Sequence, residues 1–521
     1  MLRKGPVLSS RDAAGVSPPI LPLNKVFSEV GEYCSTSGVL YTDGTKSPQI
    51  NNNGNGMNFL NFVLKKHFRL TSALRGTVAA LAVTLILMPN SWAASRERVL
   101  HTFNIATAGF PVSGLAMDAD ENLYGTTRLG GLGGCSEGCG VVFKLTRNNK
   151  GGATYSVLHT FAGAFSDGGN PFGAPIVDSA GNVYGTTTNG GKGDCGVVYR
   201  LSPTAGGEFK ETILHSFNRF TKRNDDGCGP ESSLVSDAAG NLYGTTNKGG
   251  GGGVNGTFCD NGCGSVFKLA PNGDGTYIES VIHSFPGTKG NRDGQNPVGG
   301  VILDSAGNLW GSTPAGGNGN GTVFELTPNS NGTYTESTLF MFTGASTGFD
   351  PNTDLVIDQA GNIYGTAVNG GLGKGVVFKV TPQAGGGVKE SVIHAFALCN
   401  ATICPDGLFP SNGLTIDANG ALYGTVDLGG GASNQCSTGT PALGCGIVYK
   451  LTPNAKGKFA ETILYRFRGF ADGATPEDGR LVIDASGNIF GTTAEGGNST
   501  ACPSGPFGTP GGCGVVFEVT P

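Results

Sequence analysis

Histidine is the side chain whose charge changes near neutral pH, so it is the first place to seek a general base or a nucleophile's partner. His101, His159, His215, His283 and His394 all occupy one position of a recurring segment, where the other copies carry Phe340 and Tyr465. Replacement by aromatic rings marks a packing position between repeats. Beyond residue 93 no histidine lies outside that position.

Carboxylates form the second candidate set. Asp-Gly precedes a proline by a fixed interval at Asp167, Asp226, Asp293, Asp406 and Asp472. A turn leading into a strand accounts for this pattern. The functional alternative is a partial ring of carboxylates around the mouth of a channel, binding Ca²⁺ or the hydroxyls of a sugar. Asp118-Ala119-Asp120-Glu121-Asn122 opens like a calcium loop but lacks the sixth-position glycine and the distal glutamate, so it reads as a turn. Arg219, Lys222 and Arg223 beside Asp225 and Asp226 are unrepeated charges that read as a charged loop. The glycine pairs, such as Gly190-Gly191 and Gly370-Gly371, are followed by neither Lys-Ser/Thr nor a helical pattern and form no phosphate cradle. No catalytic residue and no cofactor is expected, Ca²⁺ being the one candidate ion.

Cysteine supplies the third set. Twelve of the thirteen cysteines lie beyond residue 93. Local spacing pairs Cys135 with Cys139, Cys259 with Cys263, Cys399 with Cys404, Cys436 with Cys445, and Cys502 with Cys513. Cys195 and Cys228 remain and pair with each other. Cys-x-x-x-Cys occurs twice, but no histidine lies near either pair, so disulfides are expected rather than zinc.

The elements that position these residues are set by a repeat. Gly-Asn-apolar-aromatic-Gly-Thr recurs seven times with small variations, its aromatic at Tyr124, Tyr184, Tyr243, Trp310, Tyr364, Tyr423 and Phe490. The second copy reads as short strands over residues 174–178, 182–187, 196–201 and 211–217, which is the content of a propeller blade. An aspartate seven times opens the hairpin between the first two strands, with glycine closing it at six copies and Glu121 at the other. A left-handed Glu121 costs about 1–2 kcal/mol relative to glycine. Residues 98–103 form a lone fourth strand, and the chain stops after a third strand at 514–519. The expected fold is therefore all-β: a seven-bladed propeller of four-stranded antiparallel blades over residues 94–521, closed by the N-terminal strand completing the last blade. The two turns within each hairpin pair are short. The second-to-third and inter-blade connections are long and uneven and share the opposite face, which also carries the cysteines and is the expected functional surface.

Residues 57–93 combine a basic segment, an apolar run from Gly76 to Met88 and small residues before Ala93, which reads as a secretory signal peptide. Met57 is then the natural start, and residues 1–56 are an over-extended start or a disordered segment. Without residues 1–93 the chain has 25 basic against 35 acidic groups, a net charge of about −10 that disfavours nucleic acid. No transmembrane span is expected in the exported part, and a closed ring reads as a monomer.

The Asp-x-x-Gly-Asn-Leu-Tyr-Gly-Thr hairpin followed by Gly-Val-Val-Phe-Lys-Leu-Thr-Pro resembles the Gly-Val-Val repeat of exported bacterial choice-of-anchor, or GloVer-containing, proteins. The hairpin is also similar to two-component-regulator propellers. The resemblance implies export and a β-propeller and brings no activity with it. A secreted, periplasmic or extracellular binding module for a glycan or protein is the expected function. A propeller lyase or hydrolase acting on carbohydrate or a lactone, and a structural envelope protein, are the alternatives.

Overall fold

The computed structural model describes residues 95–521 apart from 132, 149–150, 219–225, 252–261, 287–291, 397–403, 432–435, 437–442, 478, 498–501 and 503–511. The start segment 1–56, the signal segment 57–93, Cys259, Cys399 and the charges Arg219, Lys222, Arg223 and Asp225 lie outside the described residues.

Seven four-stranded antiparallel blades form a propeller. In the second blade the strands are Ile176–Val177, Val183–Gly190, Val197–Pro203 and Phe209–Ser216, from the channel outward. The second strands are buried throughout the five residues that carry the motif, for example Leu242–Thr246, because neighbouring blades cover both faces. Alternation of polar and apolar residues is therefore lost there, as in sheets covered on both sides. The outermost strands alternate between half-buried and exposed residues, as in Tyr334–Met341.

The recurring motif divides its labour along this hairpin. Its glycine makes room: a Cβ at Gly185 would lie 2.3 Å from the Tyr199 hydroxyl of the third strand. Its asparagine and aromatic bind the turn aspartate. In the fifth blade Asp358 Oδ1 accepts from the Ala360 and Asn362 amides at 2.9 and 2.8 Å, and Oδ2 accepts from Asn362 Nδ2 and the Tyr364 hydroxyl at 2.7 and 2.9 Å. Trp310 substitutes by donating its indole N–H to Asp304 at 3.1 Å. Phe490 has no such donor. There Arg147 of the first blade donates to Asp484 at 3.0 Å and lays its guanidinium over the Phe490 ring at 4.6 Å. Glu121 takes φ 61°, in the left-handed region that glycine occupies in the other copies.

Blades join through a repeated aromatic pair. The phenylalanine ending each fourth strand is buried against the third-strand aromatic of the next blade, as in Phe161 with Tyr199 at 5.2 Å and Phe342 with Phe378 at 5.1 Å. The same pair closes the ring, since Phe103 of the N-terminal strand meets Phe143 of the first blade at 5.3 Å. That strand, Arg96–Thr102, pairs antiparallel with Val515–Thr520 and completes the seventh blade, with an ion pair from Arg98 to Glu518 across the join.

Each inter-blade connection bridges back to the end of the following second strand. Gly168–Pro171 pairs with the end of Val183–Gly190, and Ala474 bridges Glu495 in the seventh blade. Disulfides tie the same face: Cys135–Cys139, Cys195–Cys228, Cys436–Cys445 and Cys502–Cys513. Cys263 and Cys404 are disulfide-bonded as well. Among the described residues no helix is long and apolar enough to cross a membrane.

Candidate functional site

The innermost strands enclose a space of about 700 Å³ walled by apolar side chains that include Ala116, Ile176, Val356 and Val482. Arg480 lines both this space and a smaller recess beyond it, where Glu231, Asp354 and Ser411 also face inward. Arg480 thus stands at the narrowing of the channel.

Charges that most blades lack gather around this mouth. Arg128 lies over the Phe172 ring at 5.8 Å and acts electrostatically on both Glu231 and Glu477. Asp427 is buried and accepts from the Ser411 hydroxyl at 2.5 Å. Burial, and then the neighbouring Glu477 charge, push the Glu495 carboxyl up to about 7. Burial likewise raises Glu477, against the opposing charge of Arg128. Thr475, whose hydroxyl donates to Glu495 at 3.2 Å, has φ 53°. The residue before the connection's proline is left-handed in the other blades too, as at Phe110, Asn170, Asn296, Asp350 and Phe409, so this conformation belongs to the repeat.

No motif singles these residues out, although the sequence holds a signal. From the proline of each connection to the turn aspartate is seven residues in six copies, as from Pro111 to Asp118, but eight from Pro476 to Asp484. The extra residue falls in the segment that carries Glu477 and Arg480.

The five Asp-Gly aspartates lie elsewhere. They are not among the residues that line the channel space or the recess described above. Each of these five connections leaves the outermost strand, and its Asp-Gly aspartate stays beside that strand. Asp167 accepts from the Ala162 and Gly168 amides at 2.6 Å, which is the turn role expected of it. It also meets the histidine position, which spacing in the sequence presents as a separate packing feature. His159 Nε2 lies 3.4 Å from Asp167 and 3.7 Å from Glu211 of the next blade. His215 lies 2.9 Å from Asp226, and His283 3.2 Å from Asp293. Tyr465 donates its hydroxyl to Asp472 at 2.8 Å. The packing role exists alongside, since each of these rings stands edge-on to the phenylalanine two residues on, His159 on Phe161 at 4.7 Å for instance.

Electrostatics at these seams follow from burial of several charges together. Burial pulls the His159 imidazole down, but the Asp167 hydrogen bond and the Glu211 and Asp167 charges outweigh it and hold its pKa above the ordinary value. Burial raises the Glu211 carboxyl to about 7 and the Glu461 carboxyl to about 9, the latter with help from Asp406. His394 is pulled down by burial, with Asp406 opposing.

Residues 87–259 and 252–503 match the Gloeobacter/Verrucomicrobia repeat, and the chain belongs to that family. No curated protein matches it. Among solved structures, similar chains include a gluconolactonase from Xanthomonas campestris, at 12% identity over 82% of this chain and 89% of that one, with a TM-score of 0.34. A luciferin-regenerating enzyme is 13% identical over 70% of this chain and 98% of that one, with a TM-score of 0.37. A puromycin-hydrolysing peptidase from Mycobacterium tuberculosis is 11% identical over 77% of this chain and 53% of that one, with a TM-score of 0.41. These likenesses concern the fold, and no residue role is carried across.

Proposed function

We propose that this member of the Gloeobacter/Verrucomicrobia repeat family is an exported, monomeric binding module that holds a polar extracellular ligand, a glycan or a peptide, at the channel mouth on its disulfide-tied face. One observation carries the reading: Glu231 and Arg480 line the recess, Arg128 and Asp427 contact its lining residues Phe172 and Ser411, and Glu477 and Glu495 act on this set electrostatically, whereas no charge of the set recurs in more than two blades. A residue needed to form a blade recurs in every blade; one needed for a ligand has no reason to. Exposed Phe165, Leu372 and Phe470 on connections of the same face add apolar surface for contact. Disulfides fit an oxidising compartment, in keeping with the signal-peptide reading of residues 57–93.

The test is a screen of the purified protein against glycan and extracellular-protein arrays, followed by titration of any hit. A saturable ligand is expected, with affinity at least tenfold weaker in Arg480→Ala and Glu495→Gln, since a lost charged contact is worth about 1.5–3 kcal/mol. Binding that both variants leave intact would move the contact surface away from the channel mouth. An enzymatic reading has one specific support, the Glu495 carboxyl at about 7 beside a second carboxyl, which suits a general acid. Turnover of an array compound that Glu495→Gln abolishes, without loss of binding, would favour it.

A further inference from the structure

We infer that the His–Asp–Glu clusters at three inter-blade seams are divalent-metal sites that clamp neighbouring blades together. The clusters are His159, Asp167 and Glu211; His215, Asp226 and Glu279; and His394, Asp406 and Glu461, each with one ligand atom per residue and all three atoms within 4.8 Å of one another. In each, the histidine comes from one fourth strand, the aspartate from the connection that follows, and the glutamate from the fourth strand of the next blade.

The spacing fits a coordination shell better than a hydrogen bond at the third of these seams. His394 Nε2 stands 3.7 Å from Asp406 and 4.0 Å from Glu461. Those separations exceed hydrogen-bond reach, whereas two ligands each about 2.0–2.2 Å from one ion lie roughly 3–4 Å apart. His394 Nε2 is buried and has no hydrogen-bond partner, and Glu461 and Glu211 each stand close enough to the aspartate of their own cluster, Asp406 and Asp167, to share a proton with it when no cation is between them.

A backbone device aims the ligands. Glutamate and histidine are four residues apart on one strand, which would place both on the same face. A β-bulge lies between them in every fourth strand, as between Ile213 and His215, and turns the histidine toward the following blade and the glutamate toward the preceding one.

The seam of His283, Asp293 and Glu336 keeps all three residue types, but there Glu336 accepts from the Thr338 hydroxyl at 2.9 Å and stays out of the cluster; at the other three seams the substitutions go together. Where Phe340 replaces the histidine, the connection has no Asp-Gly; where Tyr155 replaces the glutamate, Asp-Gly is again missing and His101 stacks on that ring at 3.9 Å. With Tyr465 in the histidine position, the hydroxyl reaches Asp472 and Glu97 at 2.8 and 3.4 Å, a hydrogen-bonded version without a nitrogen ligand. One imidazole with two carboxylates suits Zn²⁺ or Mn²⁺; Ca²⁺ takes oxygen ligands and is disfavoured.

The test is metal analysis of the purified protein after EDTA treatment and reloading with Zn²⁺ or Mn²⁺, with Ca²⁺ for comparison. Up to three ions per chain are expected, with a rise in melting temperature that EDTA reverses. Glu211→Gln and Glu461→Gln each remove one ion, and Glu390→Gln, in the seam with Phe340, removes none. His394→Phe introduces the residue that another seam already uses and independently removes one ion. No retained ion, or a content that all these variants leave unchanged, overturns the assignment.

Discussion

At the scale of single residues, the turn aspartate shows how a fixed requirement is met by different chemistry. Six blades satisfy Asp Oδ2 with a hydroxyl or indole donor six residues on, and the seventh uses Arg147 from the neighbouring blade because Phe490 has nothing to donate. Arg147→Ala should therefore cost about 1–3 kcal/mol, the worth of a hydrogen bond to a charged group, and adding Phe490→Tyr should recover part of it. Denaturant melts of the two variants decide this; no recovery would mean that Arg147 acts through Glu121, its other carboxylate partner at 2.9 Å. Gly361 has φ 79° and open space where a Cβ would stand. Gly361→Ala should thus lose about 1 kcal/mol through backbone conformation alone. The turn was legible in the sequence because aspartate and glycine act within a few residues of themselves. Arg147 was not, since its partner Asp484 is 337 residues away.

At the scale of the strand and its turn, alternation was a sound guide until the bulge. Counting residues puts Glu211 and His215 on one face, and the register shift between Ile213 and His215 separates them, so the sequence showed two unrelated repeats where the structure makes one seam. The second-strand hairpin and the closing strand were readable because they follow local pattern and strand count. The channel-mouth charges were not, because they come from different copies and meet only in space. The same elements set an acid–base response. Burial raises the turn carboxyls, but their hydrogen bonds outweigh it and hold Asp118, Asp178, Asp237, Asp304, Asp358 and Asp484 below the ordinary value. Burial holds Glu97, Glu390 and Glu495 up at about 7. A depressed carboxyl contributes stability above its unfolded pKa of about 3.9 and loses it as pH falls through the folded value. A raised one contributes below its unfolded pKa of about 4.3 and loses it as pH rises through the folded value. Melting temperature in EDTA should be highest between about pH 4 and 6, falling on the acid side from the turns and toward pH 8 from the glutamates. A melting temperature that rises from pH 6 to 8 would contradict this account.

At the scale of the whole molecule, the ring depends on one strand. Without Arg96–Thr102, the strand Val515–Thr520 becomes an open edge and Phe143 loses Phe103, which is 1% exposed. Removal of residues 95–103 should yield self-associating protein with a lower melting temperature, measurable by light scattering on a sizing column. A monomeric, equally stable product would show that six complete blades and a three-stranded one suffice. The join also has a consequence in time. A chain is made from its N-terminus, so the ring's first strand must wait for its partner Val515–Thr520, across the 420 residues that separate Arg98 from Glu518. Every other blade can assemble from neighbouring segments as they emerge, but the last cannot. A chain cut short before Val515–Thr520 can never close, and the finished ring is therefore a record that synthesis passed that strand.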